Sequence, residues 1–199
     1  HPPIIVPAIG QGEEKTAEAT IKAFQKIAQS IVEMEVDNIL IVSPHAPLTR
    51  RGFSYLEGER LKGDFRNFGA PQVSFNLEVN QDLLSKIKEE IPEAVPVKTT
   101  LDHGTLVPLY FCREAGWAGK IVVLGMPLND PEAYGQKVGQ LMNNSAERWA
   151  LLASGDLSHK LKEDGPYGYH PSGPKVDNII AKGLRKNTAL IRAIPDDLL

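Results

Sequence analysis

The chain carries five histidines, and every one stands beside a Pro- or Gly-marked break in the sequence. Their settings are His1-Pro2-Pro3, Ser43-Pro44-His45-Ala46-Pro47, Leu101-Asp102-His103-Gly104, Gly155-Asp156-Leu157-Ser158-His159 and Tyr169-His170-Pro171. A neutral imidazole is a metal ligand, and near neutral pH it is also a proton acceptor or donor. In an α/β protein such groups act where strands end, because the loops leaving the carboxyl edge of the sheet form the binding crevice. Any single histidine is more often a surface or satisfied core residue; five at predicted strand exits point to one site. Asp102, next to His103, and Asp156, three residues before His159, are carboxylates that either orient an imidazole or cap the following helix. His170 is read as a loop residue at the rim of a pocket.

Two imidazoles can share a metal only if their approaches are held close. Donors each about 2.1 Å from one ion lie about 3 Å apart, within reach of side chains leaving strands about 4.8 Å apart. A strand ahead of His1, pairing with the strand that leads to His45, provides that spacing, and Pro2, Pro3, Pro44 and Pro47 stiffen both approaches.

The remaining sequence supplies the frame. Ala17, Ile21, Phe24, Ala28 and Ile31 repeat every three to four residues and predict an amphipathic helix from Glu13 to Met34. Asn38 to Ser43 and Lys120 to Gly125 are short β-branched apolar runs, the pattern of strands buried on both faces. Asn80 caps a predicted helix to about Glu90; Val95 to Thr99 is strand-like; Leu106, Leu109 and Tyr110 mark another helix. Asp130-Pro131 opens a helix expected to reach Arg148. Trp149 to Ser154 follows as a strand, and a last helix is expected from Lys175 to Arg192. This alternation predicts an α/β fold: a single domain over residues 1–199 with a mostly parallel central sheet and helices on both faces. Both ends read as trimmed, the first on a loop-like Pro pair and the last on a turn.

Composition narrows the function. With 42% apolar and 24% charged residues and a net charge of −3, the chain reads as a soluble domain with no broad electrostatic attraction for nucleic acid. Its apolar runs are too short to span a membrane. Cys112, the single cysteine, excludes an intrachain disulfide and a thiolate cluster and suits a reducing cytoplasm. Gly10-Gln11-Gly12 lacks the third glycine and the Gly-Lys-Ser/Thr ending of a phosphate loop, so it reads as a helix lead-in. Arg50 to Gly69 mixes basic and aromatic residues, but Glu57, Glu59 and Asp64 interrupt it; it reads as a hairpin or active-site flap. No Gly-x-Ser-x-Gly elbow is present for serine catalysis.

Ser-Pro-His45-Ala-Pro, Leu-Asp-His103-Gly-Thr-Leu-Val-Pro-Leu and Ser-Gly-Asp156-Leu-Ser-His159, with Gly165-Pro166-Tyr167-Gly168-Tyr169 behind them, together resemble a known family. It is the class III extradiol ring-cleavage dioxygenases, represented by the LigB-type catalytic subunit of protocatechuate 4,5-dioxygenase. Within it the chain is most similar to the AmmeMemoRadiSam system and Memo-like branch. The resemblance covers nearly the whole chain and implies non-haem Fe(II), with Zn(II) or Cu(II) able to occupy the same site. It places the metal on His1 and His45, substrate contact on His103 and acid/base work on His159. It implies a catechol-type aromatic substrate and O₂ as partners, and it calls for a third ligand, a glutamate in a later segment, expected past Leu199. Two neutral imidazoles and a carboxylate leave about three positions on Fe(II), enough for a bidentate catecholate and O₂.

Two other readings stay open at this stage. One is a Memo-like metal-binding regulatory or interaction protein without turnover. The other is an oxidase in which the amine and imidazole of His1 chelate copper, which requires a mature protein that starts there. Homo-oligomerisation is left open.

Overall fold

A computed structural model describes residues 2–195 and residue 198 of the chain. They form two compact units, one running to Gly155 and one beginning at Asp156.

In the first unit, the opening segment makes a 3₁₀ turn at Pro3–Ile5 and a short helix α1 (Pro7–Gly10). Gln11 and Gly12 then take left-handed conformations that turn the chain into the next helix, the lead-in expected of them. The first long helix, expected from Glu13, divides into a 3₁₀ turn (Glu13–Ala17) and α2 (Glu18–Glu33). Its predicted apolar face is the one that packs, with Ala28 and Ile31 buried and Phe24 meeting Phe111 at 5.1 Å between ring centroids. Strand β1 (Asn38–Ser43) follows, then β2 (Ser54–Leu56), a hairpin of β3 (Arg60–Phe65) and β4 (Ala70–Glu78), helix α3 (Gln81–Glu90), β5 (Val95–Val97), helix α4 (His103–Glu114), β6 (Lys120–Gly125), helix α5 (Pro131–Asn143) and β7 (Trp149–Ala153).

Five strands make the central sheet in the order β5-β2-β6-β1-β7, and β3 and β4 form a separate two-stranded sheet. The β1–β6, β1–β7 and β2–β5 pairs are parallel, while β2 meets β6 antiparallel through Tyr55 and Leu124. Ile39, Leu40 and Ile41 are consecutive and all buried, as are Ile121 to Leu124, so both faces of the sheet are covered. Helices α2 and α4 pack on each other, and so do α3 and α5. The expected α/β architecture with a mostly parallel sheet is the one observed.

Among the described residues the neighbours of β1 are β6 and β7. Three local expectations change. Helix α5 stops before Asn144 and Ser145, residues that compete with helical bonding. Beyond them Arg148 is tied to the start of β1: its carbonyl accepts from Asp37 and Asn38, and its amide donates to the Asp37 carboxylate at 2.8 Å. The charged segment after Arg50 contributes β2 to the main sheet, and the hairpin begins only at Arg60.

The third change lies in the second unit, where the last helix begins earlier than expected and breaks in two, α6 (Ser172–Lys186) and α7 (Ala189–Arg192). Asn187 between them is extended, and its side chain accepts from the Ala189 amide at 3.0 Å, a local turn that competes with continuation of the helix. Among the described residues no helix is long and apolar enough to cross a membrane.

Asn80 joins several of these elements at once. Its side-chain oxygen caps α3 by accepting from Leu83 at 2.9 Å, and its amide donates to Asn38 at 2.9 Å and to Glu147 at 2.8 Å. The side chain is only 2% exposed, so its partners cannot turn to water. Removing it in Asn80→Ala loses a cap and strands buried polar groups, with an expected cost of about 2–4 kcal/mol. Asp130→Ala removes only an exposed cap contact to Ala133 and should cost about 1 kcal/mol or less. Urea unfolding of both variants checks the ordering; equal midpoints would show that the Asn80 junction is not a shared support.

Candidate functional site

The carboxyl end of β1 turns sharply. Ser43, its last residue, is fully buried, its hydroxyl accepts from the His45 amide at 3.3 Å, and its carbonyl accepts from Ala46 at 3.4 Å. Pro44 and Pro47 bracket this turn, and His45 stands exposed upon it. Imidazole placement here follows from a strand that ends in a buried anchor followed by a conformationally restricted loop.

Helix α4 brings the second imidazole. Asp102 is its N-cap: the carboxylate accepts from the Thr105 amide at 3.0 Å and the Thr105 hydroxyl at 3.2 Å. The oxygen that caps the helix also accepts from the Ser43 hydroxyl at 2.7 Å, which fastens the start of α4 to the end of β1. From the other side, the Ser154 hydroxyl beyond β7 donates to the Gly104 carbonyl at 2.7 Å. Glycine is required at position 104 by space, since a Cβ there would meet Ser43 Oγ at 2.8 Å, Asp102 Oδ1 at 2.9 Å and His45 Cδ2 at 3.1 Å. The result is that His45 and His103 lie with ring centroids 4.1 Å apart and planes at 37°.

Both imidazoles line a cavity of about 870 Å³, together with Asp102, Thr100, Asn67 and Phe68. Its size suits an organic ligand. The hairpin forms one wall, its tip shaped by the Asp64 carboxylate, which accepts from the Arg66 amide and guanidinium. That pairing holds the Asp64 carboxyl below the usual range. Phe68 at the tip meets His103 at 5.2 Å and 62°. Cys112 is buried in the core, and loss of hydration pushes its thiol up to about 12, so it offers neither a nucleophile nor a thiolate donor.

The second unit carries the other candidate residues. Asp156 does not begin a helix; its carboxylate lies 3.5 Å from His159 Nε2, a long-range ion-pair distance rather than a short hydrogen bond. The His159 ring meets Tyr167 at 5.0 Å and 60°. The loop holding them is tied down by Ser158, whose amide donates to Asp177 of α6 at 2.8 Å, and by a bridge between Leu161 and Tyr169. His170 accepts from the Ser172 amide at 3.3 Å through Nδ1, which also lies 2.7 Å from the Ser172 hydroxyl. It therefore supports the start of α6 and borders a cavity of about 450 Å³ within that unit.

The structure thus brings together His45, His103 and Asp102 in the first unit, and Asp156 with His159 in the second. His1 lies outside the described residues. Among the described residues no three His, Cys, Asp or Glu side chains gather as a metal-binding group. Sequence reasoning missed Ser43, Gly104 and Phe68 as parts of the site. The glycine directly after His103 was one visible hint and the reading of the Arg50 to Gly69 segment as a hairpin or active-site flap was another, whereas the roles of Ser43 and of the Phe68 ring itself appear only through contacts distant in sequence.

A family model described as the catalytic LigB subunit of aromatic ring-opening dioxygenase matches residues 1–190. Protein CA_C1420 of Clostridium acetobutylicum is 39% identical over 202 residues, an alignment covering 93% of this chain and 43% of that protein. The chain therefore spans less than half the length of this relative. The family match runs through both units and all the described histidine motifs, and the chain belongs to the LigB family of aromatic ring-opening dioxygenase catalytic subunits.

Proposed function

We propose that the protein is a non-haem Fe(II)-dependent extradiol dioxygenase acting on a catechol-type aromatic. The observation that carries this reading is the His45–His103 pair, 4.1 Å apart at the carboxyl edge of a mostly parallel sheet and lining a cavity of organic-ligand size. Imidazole nitrogens at such an edge fit a first-row divalent ion in kind. We assign the metal to His45 together with His1, and a third, carboxylate donor to a segment other than those described. When bound, Fe(II) supplies open positions for a catecholate and O₂ and the electrons that activate them.

The chain's own residues bind and move protons. His103 is half-buried with the Phe68 ring against it, and we assign it contact with the substrate. Asp102 is committed to the cap, so its part is to hold the helix start that carries His103. His159 is the proposed acid/base group, an imidazole that can take a proton from a phenolic hydroxyl and return it, with the Asp156 carboxylate 3.5 Å from its Nε2. His170, engaged with Ser172, has no chemical step.

The full-length protein, loaded anaerobically with iron and desalted, should retain about one divalent metal per chain, with Zn(II) or Cu(II) competing as their intrinsic affinities dictate. Absence of metal uptake would sink the reading. Metal retained without O₂ uptake on any of a panel of catechols would instead indicate a Memo-like metal-binding protein without turnover.

Variants separate holding the metal from proton transfer. His1→Ala and His45→Ala should each empty the site and abolish O₂ uptake together. His159→Ala should keep the metal and lower turnover by about 10²- to 10⁴-fold, the usual worth of a positioned acid/base. His103→Ala should raise the KM for the catechol more than it lowers metal content. Metal analysis paired with O₂ consumption on each variant provides the check; metal lost from His159→Ala would make that residue a ligand and reverse its assignment.

A further inference from the structure

Phe68 is 39% exposed at the tip of the β3–β4 hairpin, whereas Phe65 beside it is fully buried and Phe75 is 6% exposed. A large apolar ring held toward water is unfavourable, and the turn does not require it. The tip is made by Gly69, in the left-handed region at φ 77°, and by the Asp64–Arg66 pairing. Nor is the hairpin a loose loop. Leu101 donates to the Lys62 carbonyl at 2.8 Å, and Gly63 lies so near Leu101 that a Cβ would stand 2.7 Å from its side chain.

What the Phe68 ring touches is the site. It lies 5.2 Å from His103 at 62° and 6.4 Å from Phe65 at 68°. Both separations fall within the range of favourable aromatic pairs, about 4.5–7 Å between centroids. The Phe65 contact ties the ring to the buried base of the hairpin, and the His103 imidazole meets both Phe68 and His45. The remaining exposed surface of Phe68 lines the cavity with both histidines.

We propose that Phe68 is a specificity-determining residue of this site: it forms the aromatic wall against which a planar substrate ring packs, and through its contact it positions His103. The substrate half rests on the reading of the cavity as a catechol site. A flat wall on a rigid hairpin favours an aromatic ring over an aliphatic diol of equal polarity, because ring packing adds to the burial of apolar surface. Leucine would preserve apolarity and lose the ring, while tyrosine would preserve the ring.

The test uses full-length, metal-free protein for the imidazole resonances and iron-loaded, anaerobic protein for titration with 4-nitrocatechol followed by absorbance. The His103 ring protons, identified by their disappearance in His103→Gln, should be displaced in Phe68→Leu as the ring current is lost and should return in Phe68→Tyr. 4-Nitrocatechol should bind Phe68→Leu about 3- to 10-fold more weakly than the parent, and Phe68→Tyr within about twofold of it. Unmoved His103 resonances in Phe68→Leu would overturn the positioning role, and unchanged affinity would overturn the wall. Failure of the parent itself to bind 4-nitrocatechol would remove the substrate half along with the catechol reading, leaving the resonances to decide the positioning role alone.

Discussion

The site depends on one carboxylate oxygen. Asp102 Oδ1 receives the Ser43 hydroxyl at 2.7 Å and the Thr105 amide at 3.0 Å, and both donors come from residues with no exposed surface. A buried donor without an acceptor costs about 1–3 kcal/mol, so the end of β1 and the start of α4 have no inexpensive alternative arrangement. Each element carries one histidine directly beyond or within this joint. The close approach of the imidazoles is therefore a consequence of how a strand end is fastened to a helix cap, and Gly104 makes it sterically feasible.

The location of that joint follows from sheet topology. Parallel neighbours β6 and β7 place their carboxyl ends on the same edge as that of β1, and Ser154, leaving β7, closes onto the Gly104 carbonyl. Three chain segments thus converge where the loops of an open α/β sheet form their crevice. The opposite end of β1 is fastened by different means, through Asn38, Asn80 and Glu147. The sheet is anchored at both ends by hydrogen bonds among side chains, and only one of those ends carries the candidate chemistry.

Family membership and geometry contribute different things. Membership in the LigB family describes ancestry along the chain, while function resides in the groups a site assembles. The hairpin illustrates the difference, because it is a two-stranded sheet of its own that is nevertheless fastened to the rest of the unit through Lys62 and Leu101. Phe68 at its tip borders the cavity and meets His103, contacts that membership alone does not describe.

By itself the sequence determined what depends on neighbours within a turn or two. Asn80, Asp102 and Asp130 each accept from the amide three residues on, and capping is written in that short interval. The strands β1 and β6 match their predicted bounds because a run of β-branched residues buried on both faces reads the same in any parallel sheet. The histidine settings were legible for the same reason, each being a short stretch bounded by Pro or Gly. Tertiary structure decided what joins distant segments: that β2, three residues long, enters the main sheet between β5 and β6, that β1 lies between β6 and β7, and that Ser43 meets Asp102 across 59 positions. It alone placed Phe68 against His103. Such contacts arise from mutual burial and complementary hydrogen bonding between elements, quantities that no local window of residues contains.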